Sequence, residues 1–331
     1  MSNLRRWQLD STSPFSLQIA ADARLGQTDY SNDQVWEILL GMGESPALTL
    51  QTRYGGRAGL ASIVPMWLHD GRVIYQAQGY AKPPTVTAFA PGYVRIQATL
   101  NLQLALQAEY WVMDSHAVGA RFTLANAHVN PVDVQLDLLG FVGMGGKEQK
   151  LSLIALADGS HALSMGQVGN IFPVIVLEGA SAIVDASPSR SKISRQVTIE
   201  GRKKVSLRWV HAALTDPRES LALAQKWLQQ DWDAAFEQID EAVQAIPDIE
   251  TGNADWDTTI AFAYQQLIQA FLKPTASLPH ASFVAVRQPE RGAGNDHDKA
   301  WSGQSPTVAY LAALGGASIN PTLAQGIILT Y

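Results

Sequence analysis

The chain has 331 residues, 47% hydrophobic and 16% charged, a composition typical of a globular protein with a sizeable core and not of a disordered chain. Its 24 basic and 30 acidic residues give a net charge of -6, which argues against a surface that follows nucleic-acid phosphates. The absence of cysteine excludes disulfides, thiolate nucleophiles and cysteine-based zinc sites.

The N-terminal stretch MSNLRRWQLDSTSPF has two arginines but no apolar segment after them that would complete a signal peptide. No later run approaches the roughly 18 apolar residues of a membrane span. These features predict a cytoplasmic chain without a membrane or nucleic-acid partner. The glycines at 145–146 have the setting of a turn and not of a phosphate loop, and the histidines are isolated from one another, so we expect no cofactor and no metal site.

Up to about residue 215 the apolar residues recur with a period of two. Leu100 to Val112 alternate strictly between apolar and mostly polar positions and predict one long strand, and the same alternation recurs over Val132–Leu138 and Val205–Trp209. Glycine, proline and asparagine turn signals separate these runs. Residues 1–215 are therefore predicted to form a large antiparallel β-sandwich, a supersandwich.

The period changes to three or four at Pro217, which predicts helices. Residues 216–250 read as a helical linker of one helix, or of two broken near Gln230–Asp231. A further helix ends before Pro274, another spans Ser305–Leu314 with Gly315–Gly316 as its stop signal, and Asn320–Pro321 opens the next.

Between these helices lies a polar loop, Leu278 to Leu311, which concentrates hydrogen-bonding side chains beside one large aromatic. The loop combines a guanidinium with several hydrogen-bond donors, further polar donors and acceptors, and a flat apolar ring, which are supplied by Arg287, Asp298, Trp301 and Gln304. A sugar ring, with alternating C–H and O–H groups, is held by such a set, so these four residues are the predicted substrate-binding residues, with Arg287, Trp301 and Gln304 converging on one pocket.

The motif LPxxSFVxxRQPxxG, followed by WxGQxPxxAYxxA, resembles the first long loop of bacterial glycoside hydrolases with a six-hairpin, (α/α)6 barrel. The motif likeness covers roughly residues 250 to 325. In that family an N-terminal β-sandwich and helical linker precede the barrel, so the resemblance implies that residues 251–331 begin a barrel. Glucoamylase-like members carry Trp-x-Arg-Asp where this chain has Trp301-Ser302-Gly303-Gln304, so the tryptophan matches and the Arg-Asp pair does not.

The resemblance implies an inverting cleavage of an oligosaccharide or glucoside by an acid and a base carried on later helices of the barrel. No catalytic residue is therefore assigned. Asp296 and Asp298 lie too close in sequence to straddle a sugar easily. We expect residues 1–331 alone to be catalytically silent, an incomplete barrel with an exposed apolar patch whose partner is the remainder of the barrel.

Two alternatives to a glycoside hydrolase stay open. A glycoside phosphorylase would use inorganic phosphate in place of the water-activating base. A non-catalytic carbohydrate-binding or interaction module would use the sandwich alone, and a row of exposed aromatics on one sandwich face would favour it.

Overall fold

The computed structural model describes residues 17–29, 32–183, 191–284, 287–289 and 305–330. These residues form strands up to residue 214 and mostly helices beyond it. The strands are β1 Leu17–Ile19, β2 Trp36–Leu39, β3 Thr49–Thr52, β4 Leu60–His69, β5 Arg72–Ile74, β6 Lys82–Ala90, β7 Tyr93–Asn101, β8 Leu104–Asp114, β9 Ala117–Asn126, β10 Val132–Met144, β11 Lys147–Glu148, β12 Ser152–Ala155, β13 His161–Ser164, β14 Phe172–Leu177, β15 Ser181–Ile183, β16 Lys192–Ile199, β17 Lys204–Leu214, β18 Phe271–Leu272 and β19 Ser282–Phe283. The α-helices are α1 Pro217–Leu228, α2 Trp232–Val243, α3 Ala254–Gln269, α4 Pro306–Ala317 and α5 Pro321–Thr330.

Two large antiparallel sheets make up the sandwich. The nine-stranded sheet has the order β1-β2-β3-β4-β10-β16-β15, with β5 on β4 and β11 on β10, and the eight-stranded sheet has the order β12-β13-β14-β17-β9-β8-β7-β6. Strands β18 and β19 form a separate two-stranded ladder. The predicted class, an antiparallel β-sandwich followed by helices, is confirmed.

The sandwich core lies between the two sheets and is built from the apolar row of each strand. On β8, Leu104, Leu106 and Tyr110 are buried, as the alternation predicts. Trp67 of the nine-stranded sheet meets Phe122 of the eight-stranded sheet edge to face, at 5.4 Å between ring centroids. Such aromatic pairs add specific geometry to the burial that stabilises the core.

The predicted single strand from Leu100 to Val112 is wrong: the chain reverses within it. Asn101 pairs with Leu104, so Leu102 and Gln103 form a two-residue hairpin loop between β7 and β8. The side-chain oxygen of Asn101 accepts a hydrogen bond from the Gln103 amide at 2.8 Å, an asparagine turn, and Leu102 is 93% exposed. A bulge at the end of β7 keeps the even-numbered residues inward on both strands, so the reversal leaves the period of two intact.

Helices α1 and α2 cover the outer face of the eight-stranded sheet, and they are two helices, as the break near Gln230–Asp231 suggested. Asp216 and Asp231 cap their N-termini by accepting backbone hydrogen bonds. Trp232 is buried against the sheet and packs on Trp111 at 5.6 Å, which places Trp111 under the helices although it belongs to the polar row of β8.

An ion network clamps α2 to the same sheet. Arg121 donates to Glu109 at 2.9 Å and to Asp233 at 2.5 Å, and its guanidinium lies 4.6 Å from the ring centre of Phe236. Tyr93 donates to the other oxygen of Glu109 at 2.9 Å. The partly buried charges of Arg121 and Glu109 thus each have two polar partners, and the network links α2 to the strands.

Helices α3, α4 and α5 form a second, smaller cluster around Phe271 and Phe283. Helix α4 continues through Gly315–Gly316 to Ala317, so the predicted stop there is wrong. A Cβ on Gly316 would lie 2.8 Å from Cζ of Phe271, so close packing explains this glycine. None of the helices in the described ranges is long and apolar enough to cross a bilayer.

Candidate functional site

Three of the four predicted substrate-binding residues, Asp298, Trp301 and Gln304, lie outside the described residues. Of the loop between β19 and α4, the structure describes Val284, residues 287–289 and Ser305. Whether Trp301 and Gln304 converge with Arg287 therefore stays a prediction.

Arg287 lies at the junction of the sandwich and α3, and its side chain is directed inward. Its Nη2 donates to Oδ1 of Asp33 at 2.6 Å and its Nε donates to Oδ2, a two-pronged ion pair in which both side chains are nearly fully buried. Its Nη1 donates to the carbonyl of Ala21 at 2.8 Å and to that of Gln269. Four of the five guanidinium donors are engaged by protein, so in this arrangement Arg287 anchors the loop.

Asp33, the partner of Arg287, is in turn hydrogen-bonded to the turn between β8 and β9. The hydroxyl of Ser115 donates to Asp33 and accepts from the amide of Asp29 at 2.9 Å. Next to it, His116 contacts Asp29 at 3.1 Å. Burial lowers the pKa of His116, but its hydrogen bond to Asp29 and the charge of Asp114 raise it more, so the pKa lies above its ordinary value.

Beyond Arg287 the loop contacts the turn between β3 and β4 of the nine-stranded sheet. The carbonyl of Pro289 accepts a hydrogen bond from the amide of Gly55 at 3.0 Å, in the turn between β3 and β4. This turn places Tyr54 at a positive φ of 49°. The Tyr54 side chain is buried in the core, where its hydroxyl lies 2.9 Å from Nε2 of His211. The cost of the left-handed backbone is offset by that buried anchor.

A polar groove of about 580 Å³ lies where the loop meets the sheet. Its floor is a cross-strand row on the outer face, in which Gln18 pairs with Glu37 and Glu37 with Gln51. The side-chain amide of Gln51 donates to Glu37. The remaining lining residues come from both sides of the groove: Thr52, Arg53, Gly59, Leu60, Gln288 and Pro289.

The groove offers amide donors and acceptors, one guanidinium and one carboxylate, and is suited to bind a ligand rich in hydroxyl groups. Glu37 is the single carboxylate among its lining residues, whereas cleavage of a glycosidic bond uses a facing pair. In the described ranges no group of three histidine, aspartate or glutamate side chains is placed to hold a metal ion.

The groove floor is not among the residues predicted from the sequence, although its strands carry a signal there. Glu37 stands between Trp36 and Ile38, and Gln51 between Leu50 and Thr52, the alternation of half-buried strands. Both strands are only four residues long, so each carries a weak signal alone. Their pairing brings the two polar positions into one row.

No protein-family model matches the chain, and no curated protein matches it in sequence. Among solved structures, 100% of the chain superposes on 50% of a protein described as a kojibiose phosphorylase from human microbiome, with a TM-score of 0.55 and 8% identity. A heparinase III matches over 46% of this chain and 24% of its own, with a TM-score of 0.35 and 8% identity. A Klebsiella pneumoniae protein described as an aldose 1-epimerase matches over 69% of this chain and 96% of its own, with a TM-score of 0.36 and 12% identity. The chain thus spans about half the length of the first of these proteins and shares its fold over that half.

Proposed function

We propose that this chain is a carbohydrate-active protein and that the polar groove binds an oligosaccharide. The observation that carries the proposal is the groove itself, which residues 288–289 of the loop line together with the row of Gln18, Glu37 and Gln51. Asp298, Trp301 and Gln304 belong to the same loop, and we propose them as further sugar contacts, with Trp301 stacking on a ring face.

The chemistry of the lining supports a neutral sugar. Every sugar hydroxyl both donates and accepts, and the carboxamides of Gln18, Gln51 and Gln288 do the same. The charges of Glu37 and Arg53 balance each other, so the groove has no strong preference for an ion of either sign. Its volume of about 580 Å³ leaves room for more than one ring.

The reaction we propose is glycoside cleavage with inversion, with water as the acceptor in a hydrolase. The second candidate is a phosphorylase, and what favours it is the fold shared over the whole chain with a protein described as a kojibiose phosphorylase. In both cases the groove binds and orients the sugar, because its described residues supply only one carboxylate, Glu37.

A purely carbohydrate-binding sandwich is less well supported. The large apolar side chains exposed on the described sandwich are aliphatic, such as Leu25, Val73 and Leu102, whereas the exposed aromatics Trp256 and Tyr310 belong to helices. A sandwich that binds glycans by stacking needs an aromatic row on one face.

The binding proposal is tested by titrating the protein with a panel of α- and β-linked glucose disaccharides, using calorimetry. We expect saturable binding that falls at least about tenfold in Gln51→Leu, the equivalent of about 1.4 kcal/mol. Gln97→Leu is the matched control, because Gln97 is an exposed glutamine on the opposite sheet. Equal affinity in wild type, Gln51→Leu and Gln97→Leu would refute the groove as the binding site.

The reaction is tested on the same panel by measuring free glucose and glucose phosphate with and without inorganic phosphate. Glucose released without phosphate supports the hydrolase, and glucose phosphate formed only with phosphate supports the phosphorylase. Loss of turnover in Glu37→Gln with unchanged binding would show that the groove is catalytic, against the assignment made here.

We also propose that residues 251–331 begin an (α/α)6 barrel and that further barrel helices cover the outer face of α4 and α5. Tyr310, Leu311 and Leu314 on α4, with Ile328 and Leu329 on α5, are each more than half exposed and form an apolar surface. An apolar helix face normally packs against another element.

A further inference from the structure

A second cavity, of about 210 Å³, lies on the opposite side of the sandwich from the polar groove. It is enclosed by the outer face of the eight-stranded sheet and by the junction of α1 and α2. Its lining includes Trp111 of β8, Trp227 of α1, Gln230 and Asp231 just before α2, and Gln238 within α2. None of these residues takes part in the groove.

Two indoles form an aromatic corner in this cavity. The rings of Trp111 and Trp227 are 5.5 Å apart at an interplanar angle of 77°. Nε1 of Trp227 donates to Asp114 at 3.1 Å, and Trp111 is packed against Trp232 and Phe236. Both indoles are therefore held in place before any ligand binds, which lowers the entropic cost of binding.

The opposite wall is polar, and the carboxylate of Asp231 gives it one negative charge. Oδ1 of Asp231 accepts the amides of Asp233 and Ala234 at 3.0 and 3.1 Å as the cap of α2, and within the described residues its Oδ2 has no protein partner. The charge of Asp22 is compensated by Arg24, at 2.6 Å. The exposed carboxamides of Gln230 and Gln238 add donors and acceptors.

We infer that this cavity is an accessory site for a single neutral pyranose ring. One ring face packs in the aromatic corner, and the hydroxyls at its edge donate to Asp231 and exchange hydrogen bonds with Gln230 and Gln238. The volume lies below the roughly 300–1,000 Å³ of pockets for larger ligands, so it admits one ring and not a chain of rings. The negative charge of Asp231 disfavours an anion, whereas a carboxylate readily accepts hydrogen bonds from sugar hydroxyls.

The test is saturation-transfer NMR with methyl α-glucopyranoside as the probe and sorbitol, an acyclic polyol without a ring face, as the control ligand. The fill variant is Ala234→Leu, because Ala234 is exposed on α2 and lines the cavity. Ala222→Leu is the matched control, an exposed alanine on α1 away from the cavity.

We expect methyl glucoside to bind wild type and Ala222→Leu with a dissociation constant on the order of millimolar, typical of so small a ligand. Ala234→Leu should weaken it at least about tenfold, and sorbitol should show no saturable transfer. No saturable transfer from methyl glucoside to wild type, or equal transfer in Ala234→Leu, overturns the inference. Binding that survives Ala234→Leu but is lost in Gln51→Leu assigns the sugar to the groove, which supports the proposed function and refutes this accessory site.

Discussion

Removal of Arg287 should destabilise the protein by roughly 3–5 kcal/mol, because it leaves the buried carboxylate of Asp33 without its counter-ion. The pair is almost fully enclosed, with side-chain exposures of 3% for Arg287 and 1% for Asp33. Arg287→Met keeps much of the side-chain length and removes the charge. The carbonyls of Ala21 and Gln269 also lose their donor in this variant.

The measurement is the free energy of unfolding from urea titrations, followed by tryptophan fluorescence. Arg208→Met is the matched control, since Arg208 pairs with Glu178 at the surface with exposures of 30% and 44%, where such a pair contributes only about 0–1 kcal/mol. The double variant Asp33→Asn/Arg287→Met should lose about 1–3 kcal/mol less than the sum of the two single variants, as expected for residues in direct contact.

A local measurement separates anchoring of the loop from a general loss of stability. Hydrogen exchange at the amide of Gly55, which donates to Pro289, should accelerate in Arg287→Met under conditions where the sandwich remains folded. The reasoning is refuted if Arg287→Met and Arg208→Met have the same unfolding free energy within about 0.5 kcal/mol, or if Gly55 exchanges at the wild-type rate.

Three further predictions concern the core, the linker helices and the barrel segment. Burial lowers the pKa of His211 to about 3, whereas in the unfolded chain the imidazole has its ordinary pKa of about 6.5. Between these two values only the unfolded chain takes up the proton, so the free energy of unfolding should fall by about 1.4 kcal/mol per pH unit towards pH 3. The urea midpoints at pH 7 and pH 5 should therefore differ more in wild type than in His211→Gln. Trp232→Ala should lower the free energy of unfolding in urea by roughly 3–5 kcal/mol, because the Trp232 side chain is 2% exposed. Trp256→Ala should change the same free energy by less than about 0.5 kcal/mol, because Trp256 is 66% exposed, and equal effects of the two substitutions would contradict the packing of α2. Leu311→Glu/Leu314→Glu should reduce binding of the apolar dye ANS while the unfolding free energy stays within about 0.5 kcal/mol of wild type, and unchanged dye binding would argue against an exposed apolar face.

The architecture could be predicted because it rests on local periodicity. The change of period at Pro217 coincides with the end of β17 at Leu214 and the start of α1. The hairpin at Leu102 escaped the same reasoning, since a two-residue loop with an adjacent bulge preserves the alternation on which the prediction depends. The predicted helix end at Gly316 is wrong for a related reason. Gly316 is a glycine because the ring of Phe271 leaves no room for a Cβ, yet in the sequence such a glycine is indistinguishable from one that ends a helix.

The candidate site was only partly predictable. The motif singled out the loop that contains Arg287, but the partner of Arg287 is 254 positions away, and no local pattern shows that its guanidinium is satisfied by Asp33. The groove likewise depends on the pairing of β1, β2 and β3, which places Gln18, Glu37 and Gln51 side by side. Contacts of this kind follow from the fold as a whole. The loop sequence alone therefore identifies Arg287 but gives no indication of the groove floor.

The contacts of Ala20 and Asp33 with the helical segment also set an order for folding during synthesis. The amide of Ala20 donates to Gln269, 249 positions later, and Asp33 pairs with Arg287, 254 positions later. The ribosome makes the sandwich strands well before Arg287, so β1 can pair with β2 while Ala20 and Asp33 still lack their long-range partners. Closing so long a loop costs chain entropy before the ion pair can form, and we expect formation of these two contacts to be a late step. Until that step, the carboxylate of Asp33, which is 1% exposed in the folded protein, remains open to water.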